Sequence, residues 1–109
     1  MRTNIQIRQT NLNFVNKCIE LAKGRDIEWI QMENKEEESV TFRFYCEQYT
    51  FQVWIFGEHL MVTLAKRTED NPMGKSCHPQ EWEGTMGTNI KDFRKFAKIF
   101  FSYVPLASI

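Results

Sequence analysis

The sequence is poor in the residue types that most often carry enzymatic chemistry. It has two histidines, His59 and His78, and three cysteines that lack the short paired spacing of zinc ligands. Cys77 and His78 are adjacent, and neighbouring side chains of an extended chain point apart, which is poor geometry for a nucleophile and its base. The chain contains no glycine-rich phosphate loop and no nucleophile-elbow pattern. We therefore predict a protein without catalysis, cofactor or metal.

The chain also lacks a charge bias and a long apolar run. Fourteen Lys and Arg balance fourteen Asp and Glu, so neither the basic footprint of a general nucleic-acid binder nor the acidic excess of a DNA mimic is present. No apolar segment is long enough to cross a bilayer, and no signal-peptide pattern is visible. The cysteines, odd in number and without framework spacing, indicate reduced thiols. These absences predict a cytoplasmic protein that does not bind membranes.

What the sequence does contain is a β-pattern between Ser39 and Ala65. Apolar and polar residues alternate there with a period of two in three runs, which is typical of half-buried strands. The apolar members are Val40, Phe42, Phe44 and Cys46, then Phe51, Val53 and Ile55, then Leu60, Val62 and Leu64. Gly57 favours a two-residue type II′ turn that pairs Ile55 with Leu60. A two-residue connection at Glu47-Gln48, although poor turn chemistry, pairs Phe44 with Phe51 and puts the same apolar set on one face.

Amphipathic helices flank these strands on both sides. The first is predicted to begin at Thr10 or Asn11 and to end at Gly24, and the second to begin at Thr88 or Asn89 and to end before Pro105. An earlier strand is predicted at Asp26–Glu33, and Thr3–Gln9 is either a short edge strand or an ordered arm.

The predicted fold class is α+β. We expect one domain over residues 1–109: a four-stranded antiparallel β-meander, with or without the short N-terminal strand, packed against the N-terminal and C-terminal helices. A long loop without periodicity spans residues 66–89. The predicted core consists of Phe14, Ile19, Ile27, Trp29, Phe42, Phe44, Phe51, Val53, Ile55, Val62, Phe93, Ala97 and Phe100.

The second face of the predicted sheet is more apolar than a solvent-exposed face should be. Its candidate partner-binding residues, together with one from the long loop, are Ile30, Met32, Trp54, Phe56, Met61 and Trp82. A monomer rarely leaves more than about 300–600 Å² of contiguous apolar surface exposed. Two candidates could cover this apolar face. One is the chain's own loop, through Met73, Trp82 and Met86, and the other is a protein partner.

We therefore expect a small non-catalytic protein–protein interaction module that binds another protein, or its own copy as a homodimer, through this face and the 66–89 loop. Small inhibitors and accessory proteins of phages and mobile elements have this general composition, and that analogy suggests the same role here. One alternative is a nucleic-acid-binding module that uses the basic face of the last helix and residues of the sheet. Its candidate residues are Arg43, Tyr45, Lys91, Arg94, Lys95 and Lys98. Another is a small-ligand binder with the loop as a lid over Trp54 and Met61.

Overall fold

A computed structural model of the chain describes residues 5–67 and 84–106. The elements in that part are α1 (Gln9–Lys23), β1 (Glu28–Asn34), β2 (Ser39–Tyr45), β3 (Tyr49–Phe56), β4 (His59–Lys66), β5 (Gly84–Gly87) and α2 (Ile90–Ser102). The strands form one antiparallel sheet in the order β1-β2-β3-β4-β5. The predicted α+β class, with its meander and two helices, is confirmed.

The hairpin registers are those that the alternation predicts. Ile55 lies opposite Leu60, and Phe44 lies opposite Phe51. Gly57 has a φ of 57°, whereas Glu58 keeps a negative φ, and this combination fits a type II′ turn. Since a slip of one residue would turn a strand over, the agreement fixes which side chains face the core.

The β2–β3 turn is held by a residue from another strand end, which explains how weak turn chemistry is tolerated. Within the turn, the Cys46 N–H donates to the Tyr49 carbonyl over 3.0 Å. Arg67, just beyond β4, donates from its backbone N–H to the Gln48 carbonyl over 2.8 Å. Its Nη1 donates to the Cys46 carbonyl over 2.7 Å. These bonds satisfy backbone acceptors that Glu47-Gln48 alone would leave to water.

The start of the first helix and the extent of the long loop differ from their predictions. α1 begins at Gln9, before the predicted caps Thr10 and Asn11, and Arg8 at the N-cap position makes no side-chain cap. Of the two alternatives for Thr3–Gln9, the strand is not found in the described residues 5–8. Gly84–Gly87, inside the predicted loop, is a strand that pairs with β4. A Cβ at Gly87 would overlap the Cβ of Asp92, so glycine is needed where β5 meets α2. Residues 68–83, with Met73, Cys77, His78 and Trp82, lie outside the described residues.

The core lies between the sheet and the two helices, which pack on the same sheet face. Ring centroids of Phe44 and Phe101 are 6.0 Å apart, and those of Phe51 and Phe100 are 5.7 Å apart. The predicted core residues are buried except for three at its margin, Phe14, Ile19 and Trp29, which are half-buried. Trp29 lies on β1, at the edge of the sheet, where fewer neighbours can cover it.

No helix in residues 5–67 and 84–106 has the length and apolar character needed to cross a membrane.

Candidate interaction surface on the outer sheet face

The outer sheet face is the face opposite the two helices. Strand side chains alternate between faces, so the observed registers put Ile30 and Met32 of β1, Trp54 and Phe56 of β3, and Met61 of β4 on this outer face. None of the five belongs to the buried core cluster. The sequence-predicted residues in the described part of the chain therefore share one face.

Three of these residues form a contiguous group, which we call the Trp54 cluster: Trp54, Phe56 and Met61. The rings of Trp54 and Phe56 lie 4.3 Å apart between centroids, at 30° to each other. Met61 lies directly opposite Trp54 on β4. The imidazole of His59 packs against Phe56 with a centroid distance of 5.3 Å. The side chains of the cluster are half-buried.

Ile30 and Met32 lie on the same face but apart from the Trp54 cluster. Met32 is paired with Thr41, which is in turn paired with Trp54, so Met32 and Trp54 are two strand spacings apart, about 10 Å. Ile30 is paired with Arg43 and is 38% exposed. The structure thus places an apolar centre at β3 and β4 and a smaller apolar margin on β1. Trp82, the sixth predicted residue, lies outside the described residues.

Met86 extends this face on β5, where sequence reasoning had placed only a loop. It is paired with Thr63 and is 47% exposed. The strand has four residues, two of them glycines, so no alternation was available to find it. Farther along the same face, Thr50 and Ala65 are each 1% exposed. Ser39 and Thr63 are also nearly covered. Among the described apolar residues of this face, Ile30 and Met86 are therefore the exposed ones, and the Trp54 cluster between them is half-buried.

Among the described residues, the cysteine and histidine side chains are the buried thiols of Cys18 and Cys46 and the imidazole of His59. Burial raises the pKa of the Cys18 thiol to about 12, so the thiol stays protonated and is a poor nucleophile. Within residues 5–67 and 84–106, no group of three or more His, Cys, Asp and Glu side chains could hold a metal ion. His59 is exposed beside the β3–β4 turn. The Cys77-His78 pair lies outside the described residues.

The two halves of the alternative nucleic-acid site are not brought together. Lys91, Arg94, Lys95 and Lys98 are exposed on α2, on the helical side of the sheet. Arg43 and Tyr45 lie on the outer sheet face, on the opposite side. Arg43 donates from Nε to the Gln52 Oε1 over 2.7 Å. The guanidinium of Arg67 lies 6.0 Å from the centroid of the Tyr45 ring. A single strand of nucleic acid would have to pass around the sheet to contact both sets.

Comparison with protein-family models, curated proteins and solved structures finds no match to this chain.

Proposed function

We propose that this protein is a small non-catalytic interaction module that binds a protein partner through its outer sheet face. The observation that carries the proposal is the Trp54 cluster, an aromatic and methionine surface on the face opposite both helices. Surface of this kind costs free energy when water covers it. Apolar patches of this composition on a folded protein mark interaction sites.

The chemistry of the face favours a protein over a nucleic acid. Aromatic residues and methionine are enriched in the centres of protein interfaces, and tryptophan is the commonest kind of hot-spot residue. Among the described residues, the cations at this face are Arg43, whose Nε is bonded to Gln52, and Arg67, which lies beside the Tyr45 ring and donates to the Cys46 carbonyl. Phosphate binding needs several available cations. A protein surface with an apolar centre is thus the better complement.

The partner is either a second copy of this chain or a different protein. The composition suits an accessory or inhibitor protein of the phage or mobile-element type, which would act by covering a surface on its target. Cys18 and Cys46 are free thiols, which supports a reducing, cytoplasmic compartment.

Light scattering across a dilution series separates the two kinds of partner. A concentration-dependent dimer that Trp54→Glu abolishes identifies the partner as a second copy. A monomer at every concentration indicates that the partner is a different protein. That partner is then captured from an extract of the source organism with the tagged chain as bait.

Leu106→Glu is the matched control. Leu106 is a 68% exposed apolar residue that lies beside Gly24 at the end of α1, and α1 is on the side of the sheet opposite the outer sheet face. We expect Trp54→Glu to abolish partner binding while Leu106→Glu preserves it, both variants keeping the circular dichroism of the parent. Equal binding by the parent and Trp54→Glu would refute the proposal.

A further inference from the structure

A groove of about 980 Å³ runs between α1 and α2. The helices point in the same direction, since Phe14 and Phe93, both near helix starts, have ring centroids 5.6 Å apart. At the other end, the Arg25 guanidinium lies 5.8 Å from the Phe101 ring. Its Nε donates to the Phe101 carbonyl over 3.3 Å. The groove is on the opposite side of the sheet from the Trp54 cluster.

The floor of the groove is apolar. Phe14 and Leu21 of α1 are half-buried, and Ala97 and Phe101 of α2 are nearly covered. Ile90, at the start of α2, also lines the groove and is 50% exposed. The apolar stripe of each helix is therefore wider than the part that the sheet covers. The excess gives a partner an apolar surface to bury.

The walls of the groove are basic on both sides. Lys17 projects from α1, and Arg94 and Lys98 project from α2; all three are exposed, and none forms an ion pair within the described part of the chain. None of the described residues that line the groove is Asp or Glu. Arg25 differs from these three, because its Nε and Nη1 already donate to the carbonyls of Phe101 and Leu21. The available positive charge is thus placed along the walls, in a protein whose formal net charge is zero.

We propose that this groove binds an acidic amphipathic α-helix of a partner protein. The 13 residues of α2 give a wall about 20 Å long, which matches three to four turns of a docked helix. Apolar side chains at positions i, i+3 or i+4, and i+7 would fill the floor, which is the usual mode of binding a helix in a groove. Acidic residues on both flanks of that stripe would meet Lys17 on one wall and Arg94 and Lys98 on the other.

The arrangement selects this occupant over two others. A lipid with one anionic head group needs its cations gathered at one end, whereas here they line both walls. A nucleic acid would use the cations but would leave the apolar floor of Phe14 and Leu21 unfilled. This site is separate from the outer sheet face, so a protein with both would connect two partners. Charge reversal on α2 and Trp54→Glu test the two sites independently.

The test uses two synthetic helical peptides of 16 residues with the same leucine stripe, one carrying Glu and the other Lys on both flanks. Binding to the full chain is followed by fluorescence anisotropy at 50 and 150 mM salt, and the site is mapped by amide NMR shifts. We expect saturable binding of the Glu peptide, shifts along the groove, and no binding of the Lys peptide. Arg94→Glu with Lys98→Glu should weaken binding at least tenfold.

Lys91→Glu is the matched control, because it makes the same charge reversal on α2 at a residue that does not line the groove. Lys91→Glu and Trp54→Glu should each leave the affinity for the Glu peptide within about twofold of that of the parent. The proposal is overturned if the Glu peptide shows no saturable binding, if its shifts map to the outer sheet face, or if Arg94→Glu with Lys98→Glu has no larger effect than Lys91→Glu. A single-stranded oligonucleotide that binds more tightly and displaces the peptide would assign these cations to nucleic acid instead.

Discussion

Phe42 and Trp54 lie on neighbouring strands but on opposite faces of the sheet, and truncating each to alanine compares the two faces directly. Phe42 is fully buried between Gln31 and Val53 in the register, with its ring 6.4 Å from that of Trp29. Removing a buried ring costs its transfer free energy and leaves a cavity, about 3–5 kcal/mol together. The packing around β2, between strands on both sides and helices above, limits collapse into that cavity.

Trp54→Ala should cost much less, although tryptophan is the larger side chain. Trp54 is half-buried, its ring lies beside that of Phe56, and Met61 is its register partner on β4. An aromatic pair of this kind contributes about 0.5–1.5 kcal/mol beyond area burial. A loss of about 1–2 kcal/mol is therefore expected from the cluster.

The assay is urea unfolding followed by far-ultraviolet circular dichroism, because Trp54→Ala removes a fluorophore. A domain has only about 5–15 kcal/mol of stability, so Phe42→Leu provides a milder change if Phe42→Ala does not fold. A loss below about 1 kcal/mol for Phe42→Ala would refute its place in the core. Equal losses for Phe42→Ala and Trp54→Ala would contradict the difference between the two faces.

Three further predictions concern single contacts. Arg67→Ala should lower the free energy of unfolding by about 1–3 kcal/mol in urea, because the Arg67 guanidinium donates to a backbone carbonyl of the β2–β3 turn. If Arg67→Ala loses no more stability than Arg67→Lys, the guanidinium bond to the turn does not contribute. Gly87→Ala should cost about 1–3 kcal/mol through overlap with Asp92, and an unchanged melting temperature would show that β5 and α2 are not in close contact. In a Cys77→Ser background, the Cys18 thiol, with its pKa raised from 9.0 to about 12, should resist Ellman's reagent until the protein unfolds. Because the unfolded thiol loses its proton at a lower pH than the folded one, the stability linked to Cys18 is present below pH 9 and is lost as pH rises toward 12. Rapid labelling of the folded protein at pH 8, traced to Cys18 by peptide mapping, would disprove the burial of Cys18.

Local alternation was sufficient to predict most of the sheet. A one-residue shift of β3 would have moved Val53 out of the core and Trp54 into it, so the two-residue period and Gly57 together determined the outward side chains. The Trp54 cluster followed from the same registers. Of the two predicted caps of α2, Thr88 and Asn89, the structure has Asn89, whose side chain accepts from the Asp92 N–H over 3.1 Å.

Features that depend on distant parts of the chain could not be predicted in this way. β5 has four residues and pairs with β4 because tertiary structure brings it there. The brace from Arg67 to the β2–β3 turn joins positions about twenty residues apart. The inter-helix groove depends on how closely α1 and α2 approach, whereas a helical stripe shows only which side chains are apolar.

The most direct test of binding through the outer sheet face is site-specific photo-crosslinking in cells of the source organism. p-Benzoylphenylalanine replaces Trp54 in one variant and Lys95, exposed on α2, in the other. We expect an ultraviolet-dependent protein adduct from position 54, with twice the chain mass if the partner is a second copy and a different mass otherwise, and none from position 95. No adduct from position 54, or an adduct from position 95 alone, would contradict binding through the Trp54 cluster.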